Sequence, residues 1–454
     1  MGQNLWSGGA VVIGAGYVGL TLSAFLASKG VRTTCVEKDH ARAERIRRGE
    51  APIHEEGLQE LLRRVVDEGT LNVRAEMGGV LENSHIVFIT VGTPTGSDYI
   101  PDLSQVQEAS RQIGEALKSS SGQNPLIVVK STVPPGTTWN VVRPIIEAAS
   151  GRVCGEGFHL CSNPEFLREG SALHDTMNPD RIVIGAKSLE AAEALKSFYD
   201  HLYTPRKIAT LITTPTNAEL IKLATNTYLA LKISFINLIS NICESLNDAD
   251  VGAVAEGLGL DPRIGPQFLR AGLGFGGSCL PKDTRAMRGL AASLGVDTSL
   301  IDSILEINKA QRTRVVERLS TMLGGLAGRM VAVLGLSFKP GTDDVRESPS
   351  IEMVRELLSR GAEVRVHDPK ALNNAKQVLE SGVTYCKSVE ECLMGVDAAI
   401  IATEWPEYSA LNPQTARSLM RNPLIIDGRR ILDHEQWASA GVKVYKIGLR
   451  GPDG

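Results

Sequence analysis

The 454-residue chain has no apolar run near the roughly 18 residues that a membrane-crossing helix needs. The opening MGQNLWSGG carries no basic segment and no long apolar stretch, and Trp6 stands where an acylation signal on Gly2 would place Ser or Thr. Neither a secretory leader nor a lipid anchor is expected, and the chain reads as cytoplasmic. The seven cysteines (Cys35, Cys154, Cys161, Cys243, Cys279, Cys386 and Cys392) form no C-x-x-C, and the eight histidines form no H-E-x-x-H. A disulfide framework and a zinc site are therefore not expected. A basic excess is missing as well: Lys+Arg 48 against Asp+Glu 52 gives a net charge of −4. The one basic cluster, Arg42 to Arg48, alternates with acids and alanines and reads as a solvated helix face. Nucleic acid is thus not an expected partner.

What is present is ordinary globular material, with 43% hydrophobic and 22% charged residues. At roughly 150 residues apiece the length suggests about three domains. Up to residue 213, short β-branched runs alternate with amphipathic stretches: Ala10–Ile13, Thr33–Val36, Ile86–Val91, Leu126–Val129 and Ile182–Ile184. This is the βαβ pattern of a parallel sheet covered by helices on both faces. No Gly or Pro occurs between Pro215 and Gly252, while Leu220, Leu223, Leu231, Phe235, Leu238, Ile242 and Leu246 recur at helical spacing. The pattern predicts one long helix over 216–251, capped near Thr214 or Thr216, with more helices following to about residue 320. Such a helix has more apolar face than one small domain needs and could be both an interdomain spine and a dimer surface. Strand patterns return at MVAVLGLSF, AEVRVHD, Ala398–Ala402 and Leu424–Asp427. The expected fold is α/β: two Rossmann-like doubly wound sheets, at 1–213 and 323–454, joined by a helical middle domain at 214–322.

Gly14-Ala15-Gly16-Tyr17-Val18-Gly19 places G-x-G-x-x-G after a strand and before a helix. Gly14 permits the tight turn, Gly16 lets backbone approach a pyrophosphate, and Gly19 lets helix pack on strand. The helix N-terminus then offers free N–H groups to phosphate. Glu37 ends the second strand, where an acid suits the ribose hydroxyls of NAD and repels the extra phosphate of NADP. A glycine-rich turn of an unrelated α/β domain is the bland alternative, and Lys38 and Arg42 are the residues that could accommodate NADP. The turns bearing Thr93, Thr95 and Thr132 also follow strands, where their hydroxyls could meet cofactor or could simply build turns.

Gly274-Phe275-Gly276-Gly277-Ser278-Cys279-Leu280-Pro281-Lys282-Asp283 is the most informative stretch. A flexible glycine run delivers Cys279 to a predicted helix start with Pro281 in the first turn. A helix N-terminus lowers a thiol pKa and favours the nucleophilic thiolate. Asp283 follows four residues later on the same face. Lys222 and Asn226 likewise share a face of the long helix; a solvated Lys and an ordinary Asn are the alternative. Glu165 and Glu169 in NPEFLREG could supply a general base or could cap a helix.

GAGYVGL, VGTPT, STVPPGTT, NPEFLREG, AELIKLATNTYLA, GFGGSCLPKD and FKPGTDDVRESPS occur in one order. Together they resemble the UDP-glucose/GDP-mannose dehydrogenase family from about residue 10 to about 432. The resemblance implies oxidation of a sugar C6 alcohol to a carboxylate with consumption of two NAD. Lys222 and Asn226 would hold the C6 oxygen, with a water ordered by Asp283 and Thr132. Cys279 would form a thiohemiacetal and then a thioester, and Glu165 would activate water to hydrolyse it. Cofactor contacts are implied for Gly14, Gly16, Tyr17, Val18, Gly19, Glu37, Arg42, Thr93, Thr95, Thr132, Glu169 and Arg346. Substrate contacts are implied for Glu165, Phe166, Leu167, Lys222, Asn226, Phe268, Leu269, Arg270, Gly272, Phe275, Gly276, Phe338, Lys339 and Arg429. Arg263 would reach the substrate of a neighbouring subunit, so a homodimer or higher homo-oligomer is implied. The lead Asp261 to Gly274 looks like the UDP-glucose branch, whereas Leu280, where many UDP-glucose enzymes have Phe, keeps GDP-mannose as the runner-up; another UDP-hexose is a further alternative, the N-acetylated UDP-hexosamine branch resembling the cysteine motif less well. Glu37 replaces the usual Asp and keeps its charge. A one-step β-hydroxyacid dehydrogenase and a non-catalytic NAD-binding module are the rival classes; two, one or no NADH per sugar separates the three.

Overall fold

The structure, a computed structural model, describes residues 8–96, 99–120, 124–379 and 381–450. The stretch read above for targeting signals lies, up to Ser7, outside the described residues. The chain divides into two units, Met1–Thr225 and Asn226–Gly454.

The first unit is built on eight strands: β1 (Gly9–Ile13), β2 (Thr33–Val36), β3 (Leu71–Arg74), β4 (Ser84–Ile89), β5 (Leu126–Val129), β6 (His159–Ser162), β7 (Arg181–Ala186) and β8 (Ala209–Thr213). They run in the order β3-β2-β1-β4-β5-β6-β7-β8, parallel except where β7 meets β6. The first six strands have the doubly wound order, whose ligand crevice opens where the order reverses, between β1 and β4. Central strands are buried along their length (Leu126–Val129 throughout), which is why they read as continuous β-branched runs and do not alternate. Val12, Phe88 and Val128 face one apolar layer, and Val11, Val87 and Ile127 the other.

The second unit holds six further strands: β9 (Met330–Leu334), β10 (Glu363–His367), β11 (Val383–Tyr385), β12 (Ala398–Ile401), β13 (Leu424–Asp427) and β14 (Lys443–Lys446). Their order, β11-β10-β9-β12-β13-β14, repeats the doubly wound pattern with every pairing parallel. Helices Val251–Leu260, Leu280–Ser293 and Ser299–Leu323 precede this sheet. Both expected sheets are therefore present.

The long helix spans Pro215–Cys243 and crosses from one unit to the other. Thr214 caps it, its hydroxyl accepting from the Asn217 N–H at 3.3 Å. The predicted continuation to Val251 is wrong. Glu244 to Ala249 turn, with Asp248 in the left-handed region at φ 58°, and Asp250 caps a new helix by accepting from the Gly252 N–H at 2.5 Å. The physical reason is Asn/Asp chemistry: these residues tolerate the left-handed region and supply caps, so they end a helix without Gly or Pro.

Candidate active site

The first glycine turn is built for close approach. Gly14 sits at φ +98°, and a Cβ there would meet the Thr90 carbonyl oxygen at 3.1 Å. At Gly19 a Cβ would stand 1.8 Å from the Gly14 carbonyl oxygen, so only glycine lets the helix Tyr17–Ser28 pack on β1. At Gly16 a Cβ would meet nothing within 4 Å. Gly16 is also the N-cap of that helix, with no side chain capping it and no acid in the first turn. An uncapped helix start with open space beside Gly16 fits a pyrophosphate. Glu37 is buried and accepts from the Ala15 N–H at 3.0 Å and the Asp39 N–H at 2.9 Å, with Arg42 Nη1 3.8 Å away. A carboxylate has about four acceptor positions, so two remain for a pair of ribose hydroxyls. These residues fit NAD.

Two neighbouring turns are sewn together. Thr93 Oγ1 donates to the Thr132 carbonyl at 2.7 Å, and Ser131 Oγ donates to the Val91 carbonyl at 2.6 Å. Thr95 bridges to Pro101. Glu219 on the long helix holds the far end of the second turn, accepting from the Gly136 N–H at 2.5 Å and the Thr138 N–H at 2.7 Å.

The first unit gathers charge at the ends of β5 and β6. Lys222 Nζ lies 3.0 Å from Glu165 Oε1, both groups being buried, and Glu165 Oε2 accepts from the Leu167 N–H at 2.5 Å. Burial pushes the Glu165 carboxyl up, but Lys222, the Leu167 N–H and Lys130 together outweigh it and hold it below the ordinary range. Phe166 lies under two cations, Arg181 at 3.9 Å and Lys222 at 5.5 Å from its ring centre. Glu165 bonds the loop at Leu167 and not a helix start. The helix Ala172–Met177 that follows is held by Glu55, which accepts from the Gly170 N–H at 2.6 Å and the Ala172 N–H at 2.9 Å.

In the second unit Cys279 is the N-cap of the helix Leu280–Ser293, with proline in its first turn, as the sequence predicts. It is exposed, whereas the other six cysteines are buried or half-buried. The Asp283 N–H donates to the Cys279 carbonyl at 2.9 Å. The Asp283 carboxylate, 1% exposed, accepts from Asn226 Nδ2 at 2.5 Å and Lys282 Nζ at 2.6 Å. The glycine run ahead of the cysteine is fixed from behind: Phe275 exchanges hydrogen bonds with the Asn308 amide, and its carbonyl also accepts from Arg312 Nη2. A Cβ at Gly276 would stand 2.3 Å from the Glu347 carbonyl oxygen, and one at Gly277 2.7 Å from the Phe338 ring. Gly277 donates its N–H to the Arg346 carbonyl, and the Arg346 side chain pairs with Asp344 at 2.5 Å.

Upstream, Phe268 takes a left-handed φ of +65°, a conformation that costs a bulky residue energy, and Leu269 beside it is buried. Gly272 donates to Asn237 Oδ1 at 2.8 Å. Arg263 and Arg270 are exposed, and Arg263 pairs with Asp261. Lys339 Nζ lies 5.6 Å from the Phe338 ring centre. Arg429 Nε donates to the Ala402 carbonyl at 2.7 Å, and its Nη2 is buried with no partner among the described residues.

The second sheet repeats the first glycine turn but closes its acid. The Gly335 N–H donates to the His367 carbonyl at 2.8 Å with φ +100°, as the Gly14 N–H donates to the Val36 carbonyl. Asp368, in the place of Glu37, accepts from six donors, among them the Leu336 N–H at 2.7 Å, the Ala371 N–H at 2.8 Å and Trp405 Nε1 at 3.3 Å. No capacity remains for a ribose, so the two sheets are not equivalent cofactor sites. Among the described residues no cluster of His, Cys, Asp or Glu is arranged to hold a metal, and no helix is long and apolar enough to cross a membrane.

Three domain descriptions of one family match in order: the NAD-binding domain at residues 10–203, the central domain at 216–310 and the UDP-binding domain at 332–434. The chain belongs to the UDP-glucose/GDP-mannose dehydrogenase family, whose members are NAD-dependent nucleotide-sugar dehydrogenases. It is 42% identical over 439 residues to the UDP-glucose 6-dehydrogenase YwqF of Bacillus subtilis (strain 168), covering 97% of both chains. A UDP-glucose dehydrogenase structure from Pyrobaculum islandicum is similar with TM-score 0.90 and 40% identity, covering 99% of this chain and 100% of that one. A GDP-mannose dehydrogenase structure from Pseudomonas aeruginosa is similar with TM-score 0.54 and 28% identity, covering 96% and 99%.

Lys130, Glu55 and Glu219 are absent from the residues singled out by sequence reasoning. Glu219 lies 83 residues from Gly136 and Glu55 115 from Gly170, so no local signal marked either pairing. Lys130 had one available signal, its position directly after a buried strand.

Proposed function

We propose that the chain oxidises the C6 alcohol of UDP-glucose to the carboxylate of UDP-glucuronate in two steps, releasing two NADH. The choice of sugar rests on likeness: relatives named for UDP-glucose stand at 42% and 40% identity, the GDP-mannose enzyme at 28%. Leu280 favours GDP-mannose as the second reading.

The observation that carries the chemistry is Cys279, the single exposed thiol of the chain, at a helix start behind a braced glycine run. NAD, when bound, supplies the hydride acceptor for each oxidation. Lys222 binds the C6 oxygen and stabilises it as its proton leaves, with Asn226, one helical turn on, as a second donor. Asp283 and Thr132 order the water that carries the proton away. The Cys279 thiolate adds to the aldehyde to give a thiohemiacetal, whose oxidation leaves a thioester. Glu165 then draws a proton from water as that water attacks the thioester, regenerating the thiol. Lys339, Phe338 and Arg429 hold the uridine diphosphate half, and Lys339→Ala weakens UDP-sugar binding while NAD binding stays near normal.

We also infer a homodimer acting in the cytoplasm. Tyr228, Phe235, Leu238 and Ile242 form an exposed apolar stripe at spacings of seven, three and four along the long helix, which supports burial against a second copy. NADH counted per sugar, with UDP- and GDP-sugars in parallel, tests the reading. Two NADH per UDP-glucose is expected. One would point to a single-step dehydrogenase, and greater efficiency with GDP-mannose would replace the substrate.

A further inference from the structure

Strands β5 and β6 lie side by side with Val129 against Ser162, so the residues that leave their carboxyl ends, Lys130 and Asn163, are neighbours. Lys130 Nζ donates to Asn163 Oδ1 at 3.1 Å, and the same oxygen accepts from the Tyr199 hydroxyl at 2.5 Å. Asn163 is itself fixed. Its Nδ2 donates to the Val183 carbonyl at 2.8 Å, its backbone N–H donates to the Val129 carbonyl at 2.8 Å, and it is 2% exposed. Lys130 is thus anchored at the root of the Asn163-Pro164-Glu165 segment.

Two ammonium groups, Lys222 and Lys130, act on one enclosed carboxylate, Glu165. In the resting protein Lys222 makes the direct ion pair, at 3.0 Å, and Lys130 acts on the same carboxylate from the Asn163 side. If Lys222 is drawn to the sugar oxygen, buried Glu165 keeps the Leu167 N–H but loses its direct ion pair, and a buried carboxylate without a paired charge takes up a proton more readily and is lost as a base. A second cation that cannot leave prevents this.

We propose that Lys130 is a positioning residue for the second oxidation: its ammonium keeps Glu165 ionised while Lys222 is engaged by the substrate. The inference rests on the base role of Glu165 given above. The electrostatics agree in direction. Burial raises Glu165, and Lys222, the Leu167 N–H and Lys130 lower it in turn. Burial pulls Lys130 itself down to about 8; Glu165 opposes that fall and Lys222 adds to it. Of the other ionisable neighbours, Tyr199 is pushed well up by burial, and Arg181 lies over the Phe166 ring at 3.9 Å.

The test is an isotope-edited infrared titration of the Glu165 carboxylate in the full-length protein, the band being assigned by its loss in Glu165→Gln. Lys222→Met stands in for a Lys222 that is engaged elsewhere. In that background, Lys130→Met should move the Glu165 midpoint upward, and Lys130→Arg should return it. The acid limb of NADH production should move the same way in Lys130→Met with Lys222 intact. Superposable Glu165 titrations with and without the Lys130 charge would overturn the inference. A merely structural lysine would alter stability and leave the midpoint where it was. The base role fails separately: full turnover by Glu165→Gln would remove it whatever the titration shows.

Discussion

At the scale of single residues, chemistry follows from what each side chain is left free to do. Cys279 is exposed and the other six thiols are not, so brief alkylation of the native protein should add one group, at Cys279, with half-buried Cys154 slower. An intact mass showing several groups at once would contradict this. Glu37 has acceptor positions left after bonding Ala15 and Asp39. Hydrogen bonds to charged groups contribute about 1.5–3 kcal/mol, so Glu37→Ser should raise the KM for NAD about tenfold or more and narrow the preference over NADP. Unchanged cofactor preference would remove Glu37 from the ribose. These residues were legible in the sequence because motif and position coincide within a few residues. The partners that brace them were not: Asp283 meets Asn226 across 57 residues and Phe275 meets Asn308 across 33. Such pairings belong to the folded chain, and no spacing rule encodes them.

At the scale of elements, the sequence pattern located strands well where they are buried on both faces, since a run of β-branched residues admits little else. β13 was bounded to the residue, Leu424–Asp427. It fails at the end of the long helix, because the absence of Gly and Pro does not ensure continuity where Asp248 and Asp250 turn and cap the chain. The glycines separate by the same reasoning. Gly19 has backbone 1.8 Å from where a Cβ would stand, so Gly19→Ala should cost about 1–3 kcal/mol by forcing helix from strand, and should weaken NAD binding with it. Gly30 has φ +81° and open space around it, so Gly30→Ala should cost only the left-handed strain of about 1–2 kcal/mol and leave NAD binding alone. Chemical denaturation and cofactor titration of the two variants check this pair; equal loss of NAD affinity in both would contradict it.

At the scale of the whole molecule, one doubly wound topology occurs twice, and its two glycine turns diverge in whether the acid is open or saturated. The repeat was legible in the alternation of strands and helices. The saturation of Asp368 was not, since it depends on Trp405, 37 residues away. If the proposed dimer is correct, Phe235→Asp with Leu238→Asp should yield monomers, read by sedimentation; an unchanged mass would contradict an interface on the long helix. Stability should carry a mark of Lys130. Its folded pKa of about 8 lies below the ordinary 10.5, so its buried charge costs stability at neutral pH, and that cost fades as pH rises from about 8 to 10.5. Lys130→Met should therefore exceed the parent in unfolding free energy at pH 7, with the margin shrinking above pH 8. A margin independent of pH would contradict the depressed amine.

The central claim is that Cys279 carries the sugar covalently between two oxidations. The most direct measurement is NADH production by Cys279→Ser mixed with UDP-glucose and NAD, followed in the same sample by intact-protein mass. Serine is nearly the same size and a far weaker nucleophile, so both ligands should still bind. Steady turnover should fall by orders of magnitude, leaving at most a slow first oxidation or a stalled ester adduct on the protein. Near-normal release of two NADH per sugar, with no adduct, would contradict the covalent role.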